Sequence, residues 1–308
     1  MPRAAPAMQA VLDRLAEQRA GWPNRYELPY PAARRQLLAE RRPWLDDGPR
    51  CAHADMRVRA EGRTIRLRRY RPDDDAGERT LVYLHGGGWC VGSLETHDNI
   101  VRRLAVDLGC EAWAVDYALA PEHPHPAGAL DAFAAIRAAA RDRAGTRIVV
   151  AGDSAGAHLA LDAALRARAA HGPVIAGLVL FYGVYTDALD DASMREHGDG
   201  RWGLSVAAHR RYLDAAFADA RERGVERCFA LDAGVELAGL PPTFVVAAEL
   251  DILHDQSHAL ATRLKAARVS CDVIDVTGVT HGFLAYAQAL PQARETLAAA
   301  CDWCRRRT

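Results

Sequence analysis

Serine, aspartate and histidine become a catalytic unit only when a fold brings them together, and one stretch of this chain announces such a unit. It is Gly152-Asp153-Ser154-Ala155-Gly156. A serine hydroxyl is a weak nucleophile until a base takes its proton and an acid orients that base. The G-x-S-x-G spacing bears on the serine itself. An apolar run, Arg147 to Ala151, precedes it, and an alanine-rich helical run, His158 to Leu165, follows it. In a strand, sharp turn and helix of this kind the serine is held in a strained conformation with its hydroxyl exposed. Glycines two residues before and after it have no side chain to clash where strand and helix close together. The Ala155 amide then lies at a helix N-terminus, where an anion is welcome. The composition gives about 0.04 such matches by chance, so the pattern carries information.

A second glycine-rich stretch, His85-Gly86-Gly87-Gly88-Trp89, follows the apolar run Leu81 to Leu84. Its backbone amides are free to turn toward a ligand. The ligand chemistry is either an oxyanion or a phosphate. No Lys-Ser/Thr pair follows and no dinucleotide spacing is present, which disfavours phosphate. The base and its orienting acid must come from later strand ends. Asp251 follows the run Phe244 to Ala248, with Glu249 and Asp255 as rivals on either side. His281 follows the run Val273 to Val276. Among the other histidines, His158 lies one helical turn past Ser154 and reads as packing, whereas His254 and His258 enter the helix after Asp251. The preferred set is Ser154, Asp251 and His281.

The elements that must position these residues alternate. Strands are expected at Thr80–Leu84, Glu111–Val115, Arg147–Ala151, Ile175–Phe181, Thr243–Ala247 and Cys271–Val276. Helices are expected over 97–109, 127–144, 155–170, 255–267 and 282–305. Short continuous apolar strands between helices imply an α/β protein with a parallel sheet covered on both faces. Function in such sheets collects at the carboxyl ends of the strands. Before them, Met56–Arg59 and Thr64–Tyr70 alternate as an antiparallel hairpin. Two leader helices, over 7–20 and from Pro31 to Glu40, cannot join a sheet and must lie over something. Residues 186–228 interrupt the alternation with a polar stretch and a helix over Ser205 to Ala220. With the leader they are expected to cap the strand ends. The division expected is 1–48 as helical cap segment and 49–308 as catalytic domain, with a cap insertion at about 186–228.

The 308 residues are half hydrophobic and carry a formal net charge of −1. Nothing in that balance draws the chain toward nucleic acid or an anionic membrane. No apolar window is long enough to span a bilayer, and the N-terminus lacks an apolar signal core. A cytoplasmic location is expected. Seven scattered cysteines fit reduced thiols better than a disulfide framework. Cys301 and Cys304 share one face of a helix and read as packing residues. No metal or organic cofactor is called for.

These motifs resemble the hormone-sensitive-lipase-like family of α/β-hydrolases, and among them the bacterial acetyl esterases. The resemblance covers nearly the whole chain. It rests on His85 to Trp89 with Gly92 and Thr96-His97-Asp98, on Asp116-Tyr117-Ala118-Leu119-Ala120-Pro121-Glu122-His123-Pro124, on Gly152 to Gly156, on Asp251-Ile252-Leu253-His254-Asp255, and on His281-Gly282-Phe283. The order serine, aspartate, histidine along the chain is that of α/β-hydrolases. The resemblance implies an eight-stranded, mostly parallel sheet with a helical cap. It implies Ser154 as nucleophile, His281 as base and Asp251 as its orienter. It implies oxyanion amides on Gly87, Gly88 and Ala155, with Gly86 shaping the loop and Glu122 bracing it. The activity implied is hydrolysis of short- to medium-chain acyl esters through an acyl-enzyme, with a small-molecule ester as substrate and a homodimer as a possible assembly. A ligand-binding protein on the same fold, or a lactone, thioester or amide hydrolase with the same residues, is the alternative. Trp89, Cys90, Trp202 and Tyr212 are candidate pocket residues. Ala118 and His125 depart from the family pattern and bear on substrate preference.

Overall fold

The computed structural model describes residues 3–45, 48–60, 62–222 and 229–308. Its centre is one eight-stranded sheet in the order β1-β2-β4-β3-β5-β6-β7-β8. The strands are β1 (Ala52–Ala60), β2 (Arg63–Arg71), β3 (Arg79–Leu84), β4 (Glu111–Asp116), β5 (Arg147–Asp153), β6 (Ile175–Phe181), β7 (Thr243–Leu250) and β8 (Cys271–Thr280). The hairpin β1–β2 is antiparallel and β2 pairs antiparallel with β4, while the pairings from β4 to β8 are parallel.

Side chains alternate between faces of a strand, and each face of this sheet is covered. Val82 and Leu84 of β3 join the core beneath α4 (Ala127–Asp142), α5 (Ala155–Ala169) and α8 (His254–Ala266). Leu81 and Tyr83 of the same strand point the other way, into the core with α1 (Pro6–Gln18), α3 (Asp98–Leu108) and α9 (Pro291–Arg307). Both neighbours being helical explains why the strands read as unbroken apolar runs. Cys301 and Cys304 are buried in this second core, in keeping with a packing role. No helix among the described residues is long and apolar enough to cross a membrane.

Two elements differ from the sequence expectation. The last strand does not stop at Val276 but continues to Thr280 through a register shift opposite β7. Gly278, at φ +67°, supplies the irregular step, and its amide donates to Glu249 Oε2 at 2.6 Å while its carbonyl accepts from Ala5 at 2.9 Å. The expected helix over 282–305 is broken. Phe283–Tyr286 forms one 3₁₀ turn, and α9 begins afresh at Pro291, whose fixed φ and missing N–H suit a first helical position. In the insertion, α6 (Ala192–His197) precedes α7 (Val206–Glu222). Its expected end, 223–228, lies outside the described residues.

The tightest packing is where β5 enters α5. A Cβ on Gly152 would stand 2.4 Å from the Gly156 carbonyl oxygen, and one on Gly156 would stand 2.0 Å from that of Leu84. These obstacles are backbone atoms, of the first turn of α5 in one case and of the end of β3 in the other. Gly156→Ala is therefore expected to destabilise the protein by about 3 kcal/mol, read as a lower urea midpoint. An unchanged midpoint would contradict this account of the turn.

Candidate active site

Ser154 sits between the end of β5 and the first turn of α5, at φ 54° and ψ −123°. A non-glycine residue holds such a conformation only where its surroundings over-determine it, at a cost of about 1–3 kcal/mol. Here the Ser154 amide donates to Phe181 O at 2.9 Å, and the flanking glycines allow strand and helix to close around the turn. The hydroxyl faces the His281 ring, with Oγ 2.8 Å from Nε2. On the other side of that ring, Nδ1 lies 2.6 Å from Asp251 Oδ2. The Asp251 side chain is fully buried, and its second oxygen accepts the Leu253 amide at 3.0 Å. Both residues stand directly after strands, β7 for Asp251 and β8 for His281.

The rival acids are engaged elsewhere. Glu249 accepts the Gly278 amide, and Asp255 accepts the Ser193 amide at 2.9 Å. Among the rival histidines, His158 Nδ1 accepts from Trp89 Nε1 at 3.2 Å. His254 and His258 both face Asp275.

The glycine loop after β3 curls over Ser154. Gly87 at φ 130° and Gly88 at φ 56° adopt backbone conformations that favour glycine. A Cβ on Gly87 would strike the Val91 carbonyl at 2.1 Å. The amides of Gly87, Gly88 and Ala155 have no acceptor among the described residues. Gly86 is held by a residue that sequence reasoning passed over, Asp153. Its Oδ1 accepts the Gly86 amide at 2.8 Å and the Tyr83 hydroxyl at 2.8 Å, with His97 Nε2 at 3.5 Å. Burial alone would raise this carboxyl. The His97 ring and the two donors outweigh burial and hold it at about 2, so it is charged at neutral pH. Asp153 stood inside the recognised motif, but its partners lie on β3 and before α3, and only the fold joins them.

A cavity of about 90 Å³ opens above these groups. Its walls come from both segments expected to cap the strand ends. The leader contributes Arg25, Tyr26, Leu37 and Arg41, the last two from α2 (Tyr30–Arg41). The insertion contributes Leu204, His209 and Tyr212. The two segments grip each other. Arg211 donates to the carbonyls of Tyr26 and Leu28, and the Tyr26 and Tyr212 rings meet edge to face at 6.1 Å. Arg34 of α2 ties the leader to the glycine loop. Its Nε donates to Cys90 O at 2.8 Å, and Nη2 reaches Ala120 O at 2.9 Å and Glu122 at 2.6 Å. Of the candidate pocket residues, Trp89 and Tyr212 line the cavity; Cys90 and Trp202 do not.

Two buried histidines beside the site are held neutral. Burial, with His97 nearby, lowers His85 to about 3; burial, with His281 nearby, lowers His209 to about 4. Both lie below the free imidazole value of about 6.5. As pH falls, the unfolded chain therefore takes up these protons first. Stability is full above about pH 6.5 and declines toward pH 4 and below, by roughly 2 kcal/mol per ring at pH 5. Urea midpoints at about pH 7.5 and about pH 5 should differ accordingly, and less in His209→Phe. Equal midpoints for the wild type would contradict the neutral assignment.

Comparison with known proteins agrees with this geometry. A family model described as the alpha/beta hydrolase fold matches residues 81–285. The acetyl esterase of Salmonella paratyphi A is 31% identical over 306 residues, covering 96% of this chain and 93% of that protein. The carboxylesterase NlhH of Mycobacterium tuberculosis is 35% identical over 226 residues, covering 70% and 69%. The structure of a hyperthermophilic esterase from Pyrobaculum calidifontis superposes with a TM-score of 0.89 at 31% identity, over 98% of this chain and 97% of that one. With its sheet order, its serine turn and its relatives all in accord, the chain belongs to the hormone-sensitive-lipase-like family of α/β-hydrolases.

Proposed function

We propose that the protein is a serine carboxylesterase that hydrolyses short- to medium-chain acyl esters through an acyl-enzyme on Ser154. The observation that carries this reading is the His281 ring, bridging Ser154 Oγ at 2.8 Å and the buried Asp251 carboxylate at 2.6 Å. His281 takes the serine proton as Oγ attacks the ester carbonyl. Asp251 fixes the tautomer that leaves Nε2 free to accept it and stabilises the imidazolium that forms. The carbonyl oxygen becomes an anion against the amides of Gly87, Gly88 and Ala155, each worth about 3 kcal/mol in the transition state. Asp153 holds the Gly86 end of that loop in place. His281 then hands its proton to the leaving alcohol, and a water activated by the same ring releases the acid.

Residues 1–48 and about 186–228 act as the cap over a catalytic domain of 49–308, and the small cavity beneath them favours short acyl groups. The relatives named as acetyl esterase and carboxylesterase support the same substrate class. The reading places the enzyme in the cytoplasm, where the free thiols among the described residues stay reduced, and it allows a homodimer. Hydrolysis of p-nitrophenyl esters from acetate to laurate tests it. Rates that fall with chain length are expected. A folded protein inert toward every member of the series would favour a ligand-binding role instead.

A further inference from the structure

The cavity above Ser154 contains a guanidinium that no carboxylate binds directly. Arg25 and Arg41 both line it. Arg25 is neutralised by Glu40, whose Oε2 lies 2.7 Å from Arg25 Nη1 and 2.8 Å from Arg19 Nε. That carboxylate is thus shared by two guanidiniums. Arg41 has no ion pair or hydrogen bond among the described residues, and its Nε and Nη1 are buried without a partner. The Tyr286 ring covers one face at 5.0 Å. Among the described residues the sole carboxylate lining the cavity is Asp153, already engaged by Gly86, Tyr83 and His97. A guanidinium presents a fork of donors that matches a carboxylate, and leaving such donors buried and unmatched is costly.

Its position says which half of a substrate it would meet. Arg41 Nη2 lies 3.5 Å from where a Cβ on Gly282 would stand, and Gly282 follows His281. In the proposed reaction His281 delivers its proton to the leaving alcohol, so a group beside it borders the alcohol's path. The geometry points to a substrate whose alcohol half carries a carboxylate, held by Arg41 while a short acyl group is transferred to Ser154. This inference rests on the esterase reading above and narrows its substrate class to acylated hydroxy acids.

Two matched aryl acetates test it, 4-acetoxybenzoate and its neutral counterpart 4-acetoxybenzamide. The wild type should prefer the carboxylate by about tenfold or more in kcat/KM, the size of one charge-assisted hydrogen bond. In Arg41→Met the ratio should fall to about one or below, and Arg41→Lys should keep part of it. A folding defect lowers both rates together and leaves the ratio, so the readout separates recognition from stability. A wild-type ratio of one or less, or a preference that survives in Arg41→Met, would overturn the inference. Ready hydrolysis of p-nitrophenyl acetate without anion preference would leave the esterase reading intact. Inertness toward all three esters would remove the reading itself.

An independent cluster lies where α8 meets β8. His254 and His258, one turn apart on α8, both direct Nε2 at Asp275 Oδ1 of β8, at 3.0 and 2.8 Å. Their three ligand atoms lie within 4.8 Å of one another. Two imidazoles and a carboxylate are a donor set for zinc. Asp255, 3.4 Å from His254 Nδ1, is placed to orient that ring as an outer-shell carboxylate does. We infer a divalent-metal site of the zinc type that clamps α8 to β8, the elements flanking Asp251 and His281. Titration of the apo protein with zinc chloride should show one bound ion by calorimetry and raise Tm by a few degrees, and His258→Ala should abolish both. No heat of binding in the wild type, or equal binding by His258→Ala, would overturn it.

Discussion

Ser154→Ala is expected to lower kcat toward p-nitrophenyl acetate on the order of 10⁶-fold while leaving the fold in place. The magnitude follows from what remains. Without Oγ there is no acyl-enzyme, and His281 can at best direct a water whose position the site was not built to hold. The amides of Gly87, Gly88 and Ala155, proposed to hold the oxyanion, survive with the cavity, so a residual rate above the uncatalysed one is expected. Alanine also removes little from the structure. The hydroxyl's hydrogen-bond partner is His281 Nε2, and the backbone strain at φ 54° is set by Gly152, Gly156 and the Ser154 amide rather than by the side chain. Steady-state kinetics beside a urea unfolding curve check both halves of the expectation. Turnover near the wild-type rate would show that another group attacks the ester.

Asp251→Asn carries the next largest effect, a loss on the order of 10⁴-fold in kcat. The asparagine fits the same space, but its amide nitrogen can donate to Nδ1 of His281. That bond favours the tautomer with the proton on Nε2, which cannot accept the proton of Ser154. The defect lies in a proton's address, so KM should change far less than kcat. The alternative acids are too engaged to rescue it, Glu249 with Gly278 and Asp255 with Ser193. A variant within tenfold of the wild type would place the orienting role elsewhere.

How much of this was legible in the chain depended on how local the physics was. Gly152, Ser154 and Gly156 lie within five residues, and the requirement that strand and helix nearly touch is written in the two glycines. Apolar strand runs were legible because both faces of the sheet are covered. The choice among Glu249, Asp251 and Asp255 was not local: it depends on which carboxylate meets a ring that follows another strand. Arg34 and Arg41 were harder still. They stand on an amphipathic leader helix, where arginines normally face water, and only the folded chain turns them onto the glycine loop and into the cavity. The extension of β8 to Thr280 was hidden by Gly278, which reads as a strand's end and acts as an irregular step within it. At the far end, the apolar spacing of Phe283 to Tyr286 imitated the start of a helix that Pro291 actually begins.

That Ser154 Oγ carries the acyl group is tested most directly by a covalent titration. A p-nitrophenyl alkylphosphonate reacts with an activated serine but leaves an adduct that water does not readily clear. The prediction is one equivalent of nitrophenolate per chain, activity lost in proportion, and the phosphonyl group on the peptide containing Ser154 by mass mapping. Full esterase activity after stoichiometric labelling, or a label on a different residue in the inactivated enzyme, would contradict it.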